Sequence, residues 1–363
     1  MTPSPRMPGR GGLIALTLTL MFVILWARPA STQNDDADAA LFERYIEALR
    51  RIAHVPGISA VILRDGRPVW QRGFGFANVD ARVPATPDTL YDIASLTKTF
   101  TSTLLLQCVE RGTLSLDERI ARYSAAIPEP AATVRHVLTH TSQGTPGAAF
   151  RYDGDRFAAL TSVVDSCHGR PFRQALATSI LDRAAMTNSV PGHDLERPTP
   201  SLAALFDVPT LGRYEGSVKR LALPYQTAAD GSAPAGYPPR DISASAGLLS
   251  SVVDLAKYDV AIDTNVFIFR ASQELAWTNA VSTTGEALPY GLGWFIQRER
   301  GVRLVWHYGQ WPQYSALYLK APDRHLTLIL LGNSGGLSEA FPMAGGDVMA
   351  SPFAKAFVRI FIP

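Results

Sequence analysis

Apolar residues recur with helical period at Leu41, Phe42, Tyr45, Ile46, Leu49 and Ile52, which predicts an amphipathic helix near the start of the folded region. Residues 58–63 are β-branched and apolar, Asp65-Gly66 is a turn signal, and residues 68–76 read as a returning strand. The middle of the chain has a different period. Residues 95–110 predict a buried helix closed by Gly112, and shorter helices are expected over 116–123, 156–167 and 172–182. Residues 191–241 are rich in Pro, Gly and Ala and predict long surface connections. Strand signals come back at 293–298, 302–307, 314–319 and 326–332, with turns at 299–301 and at Pro322-Asp323, and an apolar helix follows over 353–362. The economical assembly is an α/β (α+β) fold. One antiparallel sheet is built from both chain ends and flanked by terminal helices, and a mostly helical second lobe occupies about residues 95–260.

The N-terminus changes this picture for the first 32 residues. Arg6 and Arg10 precede an uncharged run over 13–27, which is short for a bilayer span and fits a signal-peptide core. The expectation is a leader over 1–32, a domain over 33–363, and a secreted or periplasmic product. The Ala27-Arg28-Pro29-Ala30 junction is a poor cleavage site, so retention as a membrane anchor through 13–27 stays open. Composition adds an exclusion: 34 Lys plus Arg against 32 Asp plus Glu leave a net charge of +2, too balanced to hold a nucleic-acid backbone. Cys108 and Cys167 each lie in an apolar helical stretch without the basic neighbours of a reactive thiolate; at most one intramolecular disulfide is possible, and two free buried thiols are the expectation.

The candidate chemistry starts at Ser95-Leu96-Thr97-Lys98. Positions i and i+3 share a helix face, so the Lys98 ammonium can reach the Ser95 hydroxyl, and the helix N-terminus offers unpaired N–H groups to a developing oxyanion. A free Lys or Tyr has a pKa of roughly 10, so desolvation or a neighbouring cation must lower it before it accepts the Ser proton. His136 and His140 are four apart, but no Glu lies between them and no third ligand is evident, so no metal site is expected.

The segment 89–101 around Ser95 resembles the nucleophile segment of the serine β-lactamase and penicillin-binding superfamily, in its class C-like branch. Residues 134–142, Tyr152-Asp153-Gly154, residues 290–294 and His307-Tyr308-Gly309 are similar to further motifs of that branch, in the same order. The resemblance covers about residues 42–335. It implies a β-lactamase/transpeptidase-like fold, with Ser95 as nucleophile, Lys98 as its cationic partner and Tyr152 as general base. It also implies backbone N–H oxyanion donors at Ser95 and Gln310, with His307 and Gly309 shaping the edge strand. The implied substrate is a small molecule or peptide (an ester, a D-amino-acid peptide or a lactam), and no cofactor or metal is implied. One position departs from the pattern: the third motif ends in Asn in relatives, where the side chain contacts the substrate amide and helps hold the Lys. Here it ends in Gly154. The expectation is therefore a preference for esters over lactams. The alternative is an acyl-trapping sensor on the same scaffold. The oligomeric state is not legible.

Overall fold

A computed structural model describes residues 1–4, 30–228 and 230–362. The expected leader core over 13–27 lies outside them. Internal contacts divide the chain into two units, Met1–Ala37 and Asp38–Pro363. In the first, residues 30–37 are helical. The second carries the sheet. Among the described residues no helix is long and apolar enough to cross a membrane.

In chain order the elements are α1 (Ala30–Ile52), β1 (Gly57–Arg64), β2 (Arg67–Asn78), β3 (Val83–Pro84), β4 (Tyr91–Asp92), α2 (Thr97–Glu110) and α3 (Val134–Leu138). Then come α4 (Gly154–Ala158), α5 (Leu160–His168), α6 (Phe172–Leu176), β5 (Val190–Pro191), α7 (Pro200–Ala203), α8 (Val208–Val218), β6 (Tyr225–Ala228), β7 (Gly231–Pro234) and β8 (Leu248–Ser250). The last are α9 (Val252–Asp263), α10 (Arg270–Ala276), β9 (Phe295–Glu299), β10 (Val302–Gln310), β11 (Ser315–Ala321), β12 (Leu326–Gly332) and α11 (Pro352–Phe361). The main sheet has the order β3-β2-β1-β12-β11-β10-β9 with antiparallel pairing, so strands from the two chain ends meet at the β1–β12 seam.

Alternation along these strands feeds two cores. Val61 and Leu63 of β1 and Ile329 and Leu331 of β12 face the helical lobe. Ile58, Ala60 and Ile62, with Leu328 and Leu330, pack under Phe42 and Ile46 of α1 and Phe353 and Phe357 of α11. Each large side chain fully buried there contributes roughly 1.5–3 kcal/mol, and this double covering explains why nearly every position of β11 and β12 is apolar.

The helical lobe departs from expectation in detail. Residues 116–123 form only a single 3-10 turn at Ile120–Arg122, because the segment bends to let Arg119 pair with Thr133. The stretch 156–167 breaks into α4 and α5, and the 191–241 connection contains α7, α8 and the β6–β7 hairpin. The free-thiol expectation is corrected: Cys108 and Cys167 form a disulfide joining α2 to α5, with Cα atoms 5.9 Å apart. Apolar periodicity places Cys108 in the core and leaves Cys167 half-buried on its own helix, but it does not show that the two helices lie side by side. A basic neighbour is present too, since Arg111 Nη2 lies 3.2 Å from Cys108 Sγ.

Candidate active site

The turn that carries Ser95 is fixed from both sides. β4 pairs with β8, and the Ile93 N–H donates to the Leu248 carbonyl at 3.0 Å. The chain then reverses at Ala94, which takes a left-handed φ of +48°, a conformation that costs a residue with a Cβ on the order of 1–3 kcal/mol. Buried Asp92 stabilises it: Oδ1 accepts from the Ala94 N–H at 2.7 Å, and burial pushes the carboxyl up to about 7. A 3-10 turn at Ala94–Leu96 leads into α2 and sets Lys98 one turn beyond Ser95.

Lys98 is fully buried. Its Nζ donates to Ser95 Oγ at 2.9 Å, to Ser245 Oγ at 2.8 Å and to the Ser245 carbonyl at 3.1 Å. The rings of Tyr152 and Phe157 each lie 5.3 Å from it. None of these neighbours is charged, so burial dominates and lowers its pKa to about 7, against the weaker pull of Asp153 and Asp155. The Tyr152 ring is partly exposed, but its hydroxyl is buried without a hydrogen-bond partner. Burial, with the neighbouring Tyr308 phenol adding to it, pushes it well above 10, and Ser95 pulls the other way.

Tyr152 stacks in an aromatic wall with Phe295 and Tyr308, at centroid distances of 5.7 Å for both. His307 sits inside that wall, out of solvent. Its Nδ1 donates to the Tyr308 carbonyl at 2.7 Å, so in the neutral imidazole its Nε2 accepts from the Tyr290 hydroxyl at 2.9 Å. Burial and, to a lesser degree, the nearby Lys98 lower its pKa to about 3, against the opposing pull of the Tyr308 carbonyl. His307 therefore braces the strand from within.

Glycine brings β10 against the nucleophile turn. A Cβ at Gly309 would lie 2.1 Å from the Ile93 carbonyl oxygen, and one at Gly293 would lie 2.7 Å from Ser102 Cβ on α2; only glycine permits either approach. Trp311 N–H donates to the Tyr314 carbonyl at 2.8 Å, so by antiparallel alternation the Gln310 N–H points to the opposite edge of β10. β9 pairs only as far as Trp306 and leaves that edge uncovered. Ser95 and Gln310 thus lie at the two sides of one tight contact.

The two histidines weighed as metal ligands, and the other residues around the site, take structural places. His136 closes a capping box with Thr133 on α3, while His140 lies buried against Tyr152 and accepts from the Asp153 N–H at 3.2 Å. Asp153 caps α4 and accepts from Gln143, and Asp155 is exposed. Trp306 is core, stacked on Phe295 at 4.3 Å. His168 lies beside Cys108 and Cys167, but the disulfide engages both sulfurs. Sequence reasoning missed Ser245 and the part played by Asp92. The only sign of Ser245 is the run of small residues over 243–247 ahead of α9.

The family model described as Beta-lactamase matches residues 42–346. The chain belongs to the β-lactamase family. It is 25% identical over 312 residues to penicillin-binding protein 4* of Bacillus subtilis (strain 168), covering 74% of this chain and 66% of that protein. It is 23% identical over 357 residues to the D-aminopeptidase of Gluconobacter oxydans (strain 621H), covering 87% and 62%. The chain thus spans under two thirds of the length of these curated relatives. Among solved structures it resembles the octameric penicillin-binding protein homologue from Pyrococcus abyssi, at a TM-score of 0.70 and 25% identity over 86% of this chain and 77% of that one. The D-amino acid amidase from Ochrobactrum anthropi SV3 shares the fold, at a TM-score of 0.70 and 20% identity over 91% and 98%. The family match bears out the resemblance read from the ordered motifs, that of the serine β-lactamase and penicillin-binding superfamily.

Proposed function

We propose that this chain is an exported serine hydrolase that is acylated on Ser95 and releases the acyl group to water. The observation that carries this reading is the Lys98 amine, fully buried and 2.9 Å from Ser95 Oγ with only uncharged partners. Burial acts on the two titratable neighbours of Ser95 in opposite directions, driving the Lys98 amine toward neutrality near pH 7 and keeping the Tyr152 phenol protonated. Environments that separate two groups in this way assign the base and the acid. Lys98 is the resting base and Tyr152 the proton carrier, which exchanges the roles that the resemblance implies. Ser95 Oγ attacks the substrate carbonyl carbon as its proton passes to Lys98 Nζ. The oxyanion is held by the Ser95 and Gln310 N–H groups, and the bond to the leaving group breaks as that group takes the proton from Lys98 by way of Tyr152. A water molecule then repeats the sequence on the acyl-enzyme.

The substrate class follows from charge. His307, where the family carries Lys or His, is neutral and out of solvent, so it offers no cation to a substrate carboxylate. This supports substrates with an uncharged leaving side, short acyl esters first and amides second, over carboxylate-bearing lactams. The disulfide and the sequence of residues 1–32 support an oxidising, extracytoplasmic destination. The test is turnover by the full chain of a short acyl ester, an amino-acid amide and a cephalosporin, with Ser95→Ala as control. Ester turnover that exceeds cephalosporin turnover and vanishes in the variant supports the proposal. A faster cephalosporin reaction overturns the ester preference, and a stoichiometric adduct without turnover identifies an acyl-trapping sensor instead.

A further inference from the structure

We propose that Ser245 is a positioning residue that holds the Lys98 amine toward Ser95, in the space that a side chain at position 154 would otherwise fill. The inference rests on the reading of Ser95 and Lys98 as a reacting pair. A Cβ built on Gly154 would lie 3.3 Å from Ser245 Oγ and 3.7 Å from Lys98 Nζ, so any side chain there grows toward both atoms. With glycine at 154, that space beside Lys98 is left to Ser245. It supplies two of the three acceptors on Nζ, its hydroxyl at 2.8 Å and its carbonyl at 3.1 Å. Gly154 and Ser245 form a complementary pair, small on one side and polar on the other.

The segment that carries Ser245 is held independently of Lys98. Thr101 Oγ1 on α2 donates to the Ala244 carbonyl at 2.7 Å, and the Ala244 N–H donates to Thr161 Oγ1 on α5 at 2.9 Å. The Ser243 N–H donates to the Ala246 carbonyl at 2.9 Å, and Ser243 Oγ accepts from the Ser245 N–H at 3.2 Å. Ser245 is therefore fixed before any proton moves, as a positioning group must be. The titratable groups facing Lys98 from the packed elements are Tyr152, Asp153, Asp155, His140 and His307. None of them makes a hydrogen bond to Nζ among the described contacts.

The test needs no knowledge of the natural substrate. Diisopropyl fluorophosphate labels an activated serine: the Ser95 Oγ–P bond forms, fluoride leaves and the serine proton passes to the Lys98 amine. Labelling rates of the full chain, followed by intact mass against pH, are compared for wild type, Ser245→Ala, Gly154→Asn and the double variant. Each change alone slows labelling about ten- to a hundredfold, the range for losing a hydrogen bond to an ionisable group. Ser245→Ala also moves the acid limb to lower pH, because the ammonium has lost an acceptor. The double variant recovers to within about threefold of wild type, since the Asn amide then fits beside Lys98. Losses that simply multiply in the double variant, or an unmoved acid limb in Ser245→Ala, overturn the role of Ser245 while leaving Ser95 standing. Should Gly154→Asn fail to fold, the acid limb of Ser245→Ala decides alone. A wild type that is not labelled at Ser95 overturns both this role and the hydrolase reading.

Discussion

Two lysines in this molecule are almost equally buried and behave in opposite ways. Lys98 is fully buried among two hydroxyls, a carbonyl and two rings. Lys320, on β11, is 1% exposed and donates to Asp259 at 2.8 Å, Asp263 at 2.7 Å and Thr327 Oγ1 at 3.1 Å, while Tyr318 also donates to Asp259. Burial lowers the pKa of both. At Lys320 the two carboxylates outweigh it and raise the value, whereas at Lys98 nothing does and the value falls to about 7. Partner charge, not depth, separates a cation that ties α9 to the sheet from an amine free to take a proton.

The largest way to break this comparison is to delete each ammonium. Lys98→Met should cut ester turnover by at least about a thousandfold while the protein stays folded, because the Ser95 proton loses its acceptor. Lys320→Met should do the reverse: turnover per folded molecule is kept, but stability falls by about 3–5 kcal/mol as Asp259 loses its buried partner. Denaturant midpoints and active-site titration measure the two effects separately.

Converting one site into the other sharpens the point. Ser245→Asp gives Lys98 a carboxylate like those around Lys320, and the acid limb of kcat/KM should move up from about 7 by at least about one pH unit. In wild type the limb should rise tenfold per pH unit below about 7 and level off above it, since the active form is the neutral amine. A flat profile from pH 5 to 9 would remove Lys98 from the role of base.

The same burial also makes stability depend on pH. The folded protein holds Lys98 near 7 and the unfolded chain near 10.4, so the unfolded state binds the extra proton between those values. Stability from this group therefore rises with pH through that window and is lost below it. Lys98→Met should raise the thermal midpoint at pH 6 more than at pH 10, and a larger gain at pH 10 would contradict the assignment.

Much of the sheet was legible in the sequence because alternation is a local signal. The run expected at 326–332 is β12 to the residue, and the strands around it differ from expectation by a few positions. The helical lobe was less legible, since its helices are short and their packing rather than their periodicity decides where they stop. The same contrast runs through the site. Ser95 and Lys98 are three apart, and their spacing alone places the two atoms within reach. Ser245 meets Lys98 across 147 positions of chain, and Cys108 meets Cys167 across 59, so neither contact leaves a local trace. Gly154 was visible as a gap in a motif. What fills that gap became visible only when α2, α4 and the small-residue run before β8 were brought together in space.

The central claim is that Ser95 is acylated with Lys98 as its base. The most direct measurement mixes the full chain with a short p-nitrophenyl ester at a series of pH values, quenches within the first turnover and localises the acyl adduct by peptide mass. The account predicts an adduct on the peptide carrying Ser95, formed at a rate that rises through about pH 7 and absent in Ser95→Ala. An adduct that survives in Ser95→Ala, or none in wild type at any pH, would contradict it.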